Sequence, residues 1–370
     1  DISRSYAMNR LLQGDVGSGK TIIAVLASAI TVSNNMQVAI MAPTEILAKQ
    51  HFKSFKSLAD HAKMTCALLT GGMPARGRKK ILIGLENSKI DIIIGTHALI
   101  QKDINFKSLG LVIIDEQHRF GVNQRNALLQ KGFNPHLLSM TATPIPRTLA
   151  ITYHGDMDLS IIDELPKNRI PIRTKIVNED RLEKIYSFMK NEVKEGRQCI
   201  IVYPLIEETE KSDLAAAVEM YNVLNERVFK DINVGLVHGR LDKDIKDQMM
   251  RDFSNNKINI IISTTVIEVG IDVPNATVML IEHAERFGLT QLHQLRGRVG
   301  RGSEKSYCIL VQRKFSEKSN KRRCYGKWFI DWMSSWFEKK RNRPHAQNYI
   351  EIFKRKYAAT MIIYEIFIID

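Results

Sequence analysis

Residues Gly14 to Thr21 read GDVGSGKT and fit the spacing G-x-x-x-x-G-K-[ST]. They follow an apolar run and precede a helical stretch, which is the context that lets such a loop hold phosphate. Gly14, Gly17 and Gly19 let the backbone N–H groups of Asp15, Val16 and Ser18 wrap anionic oxygens, and the new helix adds its positive end. Lys20 is placed to reach the β- and γ-phosphates of a nucleotide, and Thr21 to ligate Mg²⁺.

A second set of groups lies at the end of the run LVIIDEQH (111–118). Open parallel sheets take their ligands at the carboxyl ends of the strands. Asp115 is therefore expected to reach the same metal as Thr21, and Glu116 to orient and deprotonate a water. In MTATPIPRTLA (140–150), Thr141 and Thr143 are candidates to hydrogen-bond Asp115 or His118 and to sense the terminal phosphate, although the residue types also suit a plain strand-to-turn junction. The segment QLHQLRGRVGRG (291–302) interleaves Arg296, Arg298 and Arg301 with three glycines. On residue types alone its partner is DNA backbone, nucleotide phosphate or solvent. Thr44, Thr96 with its neighbour His97, His238, Thr264 and Thr265 recur where a strand gives way to a helix. Each suits hydrogen bonding to a phosphate without base readout, and each equally suits an N-cap. The spacing of His97, His118, His238, His283 and His293 fits no zinc signature.

The elements that must carry these groups are legible in the apolar runs. NRLLQ, QVAIMA, CALLTG, DIIIGT, LVIIDE and LLSMTA recur before residue 150, and CIIVYP, VGLVHG, NIIIST, TVMLIEH and YCILV after residue 170. Continuous Ile/Val/Leu runs suit strands buried on both faces, and amphipathic stretches between them suit crossover helices. The expectation is an α/β chain with two parallel sheets, hinged at DELPKNRIPIRT (163–174). The two halves look alike in architecture but show no internal sequence repeat. The 370 residues carry 44% apolar and 25% charged side chains, the balance of a soluble globular protein. No apolar run approaches the roughly 18–20 residues of a membrane span, and the opening residues DISRSYAMNRLLQGD do not have the layout expected of a signal peptide. Cys66, Cys199, Cys308 and Cys324 lack metal-ligand spacing and read as reduced cytosolic thiols. The net charge is +14, yet residues 312–370 alone hold 14 Lys and Arg against 6 Asp and Glu, so the excess lies mostly in the tail.

In combination these segments resemble the superfamily 2 helicases and, within them, the RecG group of bacterial DNA helicases. The residues that carry the resemblance are LLQGDVGSGKT, IIDEQHRFGVNQR, MTATPIPRTLA, YPLIEETE and TTVIEVGIDVPNATVMLIEHAERFGLTQLHQLRGRVGRG, within residues 8–311. The resemblance implies two RecA-like parallel-sheet domains of the P-loop NTPase type, over 1–165 and 166–312, followed by a divergent, helical tail at 313–370. It implies an ATP hydrolase that uses Mg²⁺ and translocates along DNA, with no membrane partner, working as a monomer in the bacterial cytoplasm. Phosphate and metal binding fall to Gly17, Gly19, Lys20 and Thr21, hydrolysis to Asp115 and Glu116. Coupling falls to Gln117, His118, Thr141 and Thr143. From the second domain Gly270, Asp272 and Gln294 face the nucleotide, and Arg298 and Arg301 act as fingers on its γ-phosphate. Thr44, Thr96, His97 and Thr265 would touch the DNA backbone, while Arg296 would orient its helix or touch DNA. The implied biology is fork reversal and branch processing in recombination and repair.

The chain departs from that pattern at both ends. It begins after the wedge domain and the adenine-reading glutamine of RecG-like proteins, and so reads as a fragment. Beyond SYCILV its tail is unlike theirs, with Trp328, Trp332 and Trp336 at helical spacing. A basic aromatic binding helix, a packing helix and read-through sequence without selected function are the readings open for that tail. A remnant that hydrolyses ATP without unwinding DNA, and a translocase like the transcription-repair coupling factor, are the competing functions.

Overall fold

Strands rich in Ile, Val and Leu, each followed by a turn and an amphipathic segment, build two parallel sheets in this computed structural model, which describes residues 1–142, 157–164, 170–204, 210–264 and 273–313. In the first unit, β1 (Asn9–Gly14), β2 (Gln37–Met41), β3 (Cys66–Leu69), β4 (Ile92–Gly95), β5 (Leu109–Asp115), β6 (His136–Thr141) and β7 (Asp158–Ile162) are joined through α1 (Lys20–Ser33), α2 (Glu45–His61), α3 (Ala75–Glu86) and α4 (Val122–Leu129). The sheet order is β3-β4-β2-β5-β6-β1-β7. In the second unit, β8 (Arg173–Asn178), β9 (Gln198–Val202), β10 (Val234–Val237), β11 (Ile260–Ser263), β12 (Ala276–Ile281) and β13 (Tyr307–Gln312) run with α5 (Leu182–Lys194), α6 (Glu210–Val223), α7 (Lys243–Ser254) and α8 (Leu289–Arg296). Its order is β10-β11-β9-β12-β13-β8.

The continuous apolar runs behave as expected of strands covered on both faces. In β4 and β5, Ile92, Ile94, Leu111 and Ile113 enter one core while Ile93, Val112 and Ile114 enter the other. In β9 the split is Ile200 and Val202 against Cys199 and Ile201. Period-2 alternation thus feeds two cores per sheet, and burial at roughly 25 cal/mol per Å² of apolar area holds the helices on.

The apolar runs do not announce β7 and β8. Both are edge strands with alternating half-exposed residues, so they carry no continuous apolar signature. Arg173 and Thr174, at the end of the expected hinge, pair with Tyr307 and Cys308 of β13. Two buried glutamines also escape a reading by hydropathy. The Gln37 amide donates to the carbonyls of Leu85 and Ile90 and accepts from the N–H groups of Lys107 and Ser108. Gln198, at the same place in the second sheet, donates to Phe253 and Ile258. No described helix is long and apolar enough to cross a membrane. Among the described residues Cys66, Cys199 and Cys308 are free thiols.

Candidate nucleotide site between two sheets

Strand order decides which loops meet. Because β6 separates β1 from β5, the register sets Gln13 beside Thr141 and Asp115 beside Met140. The phosphate loop, the acidic strand end and the buried Thr141 therefore share one carboxyl edge. The loop turns through Gly17 at φ 79° and Gly19 at φ 99°, left-handed positions that favour glycine. Lys20 opens α1 and folds back, its Nζ donating to the carbonyls of Gly14 at 2.7 Å and Asp15 at 2.9 Å. Burial lowers the Lys20 pKa, while Asp115, Glu116 and Asp15 oppose that shift and Arg301 adds to it. Thr21 follows in the first turn of α1.

Asp115 and Glu116 are neighbours in sequence with opposite electrostatics. Burial is the largest influence on Asp115 and works against its ionisation, but several favourable contacts together overcome it, led by a hydrogen bond from His51. That bond, with the charges of His51 and Lys20 and the N–H of Glu116, holds the carboxyl below its usual range. The bond from His51 Nε2 to Asp115 Oδ2 measures 2.7 Å. The Glu116 N–H donates to Asp115 Oδ1 at 3.0 Å. Glu116 is pushed up to about 7, first by burial and then by the charge of Asp115, against Lys20, Arg298 and the Ala142 N–H. Its backbone sits at φ 49°, ψ 56°, a left-handed conformation that costs a non-glycine residue of order 1–3 kcal/mol and that clusters at functional sites. Gln117 is buried, its amide 3.7 Å from the sulfur of Met157. His118 Nδ1 lies 3.6 Å from Glu116 Oε2, and burial lowers its pKa.

The second sheet brings α8 to this edge. His293 Nε2 lies 2.8 Å from Asp15 Oδ1 in the phosphate loop. Gly297 packs so closely that a Cβ there would meet Val16 Cγ2 at 2.8 Å. Gln294 and Arg298 are buried, and Arg298 acts electrostatically on Glu116, as Arg301 does on Lys20. The Arg301 Nε–H donates to the Gly297 carbonyl at 3.3 Å. Arg296 turns the other way, donating to Thr174 Oγ1 at 3.2 Å, which ties α8 to β8. Of its two expected roles, orienting the helix is the one this contact serves. Lys49 on α2 pairs with Asp247 on α7 at 2.6 Å across the two units.

The remaining expected residues divide. Thr44 caps α2 by accepting from the Leu47 N–H at 3.3 Å, the bland alternative for this residue type. Thr96 is buried with its hydroxyl oxygen unbonded, and His97 beside it is exposed. Thr143, Thr265, Gly270 and Asp272 lie outside the described residues.

The two halves, expected to be alike in architecture without a sequence repeat, share one local turn. After β5 come Glu116, one 3-10 turn (Gln117–Arg119), Gly121 and α4. After β12 and Glu282 come His283 at φ 50°, ψ 49°, one 3-10 turn (Ala284–Arg286), Gly288 and α8. In both, the helix-capping glycine N–H donates to a glutamine three residues on, Gln124 at 3.2 Å and Gln291 at 3.0 Å. The sequence signal is Arg-Phe-Gly at 119–121 and 286–288, too short to stand out before the backbone aligns it. One copy presents the carboxylates; the other launches the arginine helix against them.

Comparison with known proteins accords with this arrangement. The family model described as DEAD/DEAH box helicase matches residues 3–151, and that described as Helicase conserved C-terminal domain matches 180–303. Over 322 residues the chain is 54% identical to the ATP-dependent DNA helicase RecG of Bacillus subtilis, covering 87% of this chain and 47% of that protein. The chain belongs to the RecG family. The RecG of Synechocystis is 52% identical over the same length, 39% of that relative. The chain thus spans about half, or less, of the curated RecG proteins it matches. A solved RecG bound to a three-way DNA junction superposes with TM-score 0.73 at 45% identity, over 94% of this chain and 46% of that one. S. cerevisiae Dbp5 bound to RNA and ADP BeF3, at 17% identity and TM-score 0.63, covers 90% of this chain and 89% of its own and shares the fold alone.

Proposed function

We propose that this RecG-family chain is the motor of an ATP-dependent DNA helicase that moves on branched DNA, reversing forks and processing Holliday junctions in recombination and repair. The observation that carries the reading is the docking of α8 on the phosphate loop, His293 2.8 Å from Asp15 and Gly297 against Val16, which brings Arg298 and Arg301 to act on Glu116 and Lys20. Units 1–165 and 166–312 are then the two halves of the motor.

Gly14, Asp15, Val16, Gly17, Ser18 and Gly19 line the loop for the phosphates of ATP. Lys20 exchanges its carbonyl partners for the β- and γ-phosphates, and Gly270, Asp272 and Gln294 close on the nucleotide from the second unit. The hydroxyl of Thr21 and the ionised, buried Asp115 are hard oxygen donors that fit Mg²⁺, an ion content with one or two protein ligands beside phosphates and waters. When bound, that ion neutralises charge on the phosphates. Glu116, poised near 7, orients the attacking water and takes its proton. Arg298 and Arg301 stabilise charge on the transferring phosphoryl group, an effect worth roughly 10³–10⁵ in rate.

Gln117, His118, Thr141 and Thr143 couple the nucleotide state to the DNA grip. His97 and Thr265 are assigned to backbone phosphates, while the capping Thr44 and the buried Thr96 shape the strand ends beside them, so the grip is salt-dependent and blind to sequence. The bacterial relatives support action in a bacterial cytoplasm, and the motor works as a monomer. The test is ATP hydrolysis with and without a forked duplex, together with fork unwinding. Stimulated hydrolysis with unwinding is expected. Lys20→Ala should abolish both, and normal turnover in that variant would refute the assignment. Hydrolysis without unwinding would reduce the reading to an ATPase remnant.

A further inference from the structure

Helix α2 places an imidazole against the acidic end of β5, a contact that the motifs do not contain. His51 Nε2 lies 2.7 Å from Asp115 Oδ2, and both side chains are buried. An ionised Asp115 accepts, so Nε2 carries the proton. Among the described residues, His51 is the one side chain that hydrogen-bonds Asp115; Lys20, the nearby cation, is committed to the carbonyls of Gly14 and Asp15. The ring is itself held. Phe55, one turn further along α2 and fully buried, meets it edge-on with centroids 6.5 Å apart. His136 in the same sheet shows what a histidine does when it only satisfies the fold: its Nδ1 accepts from the Met8 backbone N–H. His51 instead spends its donor on a carboxylate at the edge where the phosphate loop ends.

We propose that His51 is a positioning residue of the hydrolytic centre. It fixes the rotamer of Asp115 by holding Oδ2 while the Glu116 N–H holds Oδ1. A carboxylate offers about four lone-pair directions, so with one contact on each oxygen about two stay available for a metal ion, and the fixed rotamer sets where they lie. The partner outside the ligand set thus decides how the ligand is presented, which ordinarily changes metal affinity or activity by about 10- to 100-fold. The inference rests on the nucleotide-hydrolysing reading and deepens it.

The test compares His51→Leu, which keeps apolar bulk without a donor, with His51→Gln, whose amide nitrogen reaches about as far as imidazole Nε2. Binding of Mn²⁺ in the presence of ADP is followed by electron paramagnetic resonance, and ATP turnover is measured separately. His51→Leu should weaken Mn²⁺ binding by about tenfold or more and lower kcat by a similar factor, with KM for ATP within about twofold. His51→Gln should recover most of both at an unchanged melting temperature. Equal impairment in Leu and Gln, or a Leu variant that binds Mn²⁺ and turns over as the parent does, overturns the proposal. If Leu does not fold, His51→Asn replaces it: a shorter amide that cannot reach Asp115, with the same losses expected and the same overturning result. Asp115→Asn separates the two levels. If it binds Mn²⁺ normally, the metal assignment itself fails; if it is impaired while His51→Leu is not, only the role of His51 fails.

Discussion

Replacing Glu116 by glutamine should make the protein more stable at alkaline pH while destroying its catalysis. The carboxyl is raised from an ordinary 4.5 to about 7, chiefly by burial and then by Asp115. At about 1.4 kcal/mol per pH unit, ionising it in the folded protein costs about 3 kcal/mol relative to the unfolded chain. The sign follows from the direction. A folded-state pKa above the unfolded one gives a contribution present in full below about 4.5 and lost as pH rises through about 7. Glutamine has no such loss. Parent and Glu116→Gln should therefore unfold alike near pH 4.5, diverge through neutrality, and differ by up to about 3 kcal/mol near pH 8 in favour of the variant. Urea unfolding without nucleotide or metal, repeated across that range, measures the gap. The parent kcat/KM should rise with pH to a plateau beyond about 7, because the base must lose its proton, and the variant should lose about 10²–10⁴ in rate. A gap that stays constant with pH, or opens toward acid, would refute the argument that burial sets this carboxyl.

Gly297→Ala places a methyl 2.8 Å from Val16 Cγ2 and 3.0 Å from its Cβ, so α8 must retreat from the phosphate loop. Hydrolysis should fall about tenfold or more through misplaced arginines, while binding of a fluorescent ATP analogue persists; an unimpaired variant would show that α8 does not dock there in the working state. Thr44→Ala removes the oxygen that accepts from the Leu47 N–H and should cost about 1 kcal/mol in a urea titration. An unchanged midpoint would mean the cap contributes nothing to α2.

The chemistry that depends on consecutive residues was readable directly. A phosphate loop is a backbone shape, and shape follows from the spacing of Gly14, Gly17 and Gly19 with Lys20 just inside the helix. Buried parallel strands announce themselves through unbroken runs such as Ile92–Ile94, because both faces need apolar cover. Arg298 and Arg301 were legible as a pair, though not the direction in which Arg296 turns. Strands β7 and β8 were illegible for the converse reason: their side chains are exposed or half-exposed, so no unbroken apolar run marks them.

Partnerships across the chain belong to the tertiary structure. His51 and Asp115 are 64 residues apart, and His293 and Asp15 are 278 apart. Nothing local in either histidine distinguishes it from one that merely fills a core. The Arg-Phe-Gly repeat likewise gained meaning only when two left-handed residues, Glu116 and His283, aligned the turns around it. Periodicity and turn chemistry act over a few residues, so the order of residues alone told which groups exist and which elements carry them. Which carboxylate is held ionised and which is raised toward neutrality was decided by strand order and helix docking, since desolvation and a hydrogen-bond partner are properties of the packed site.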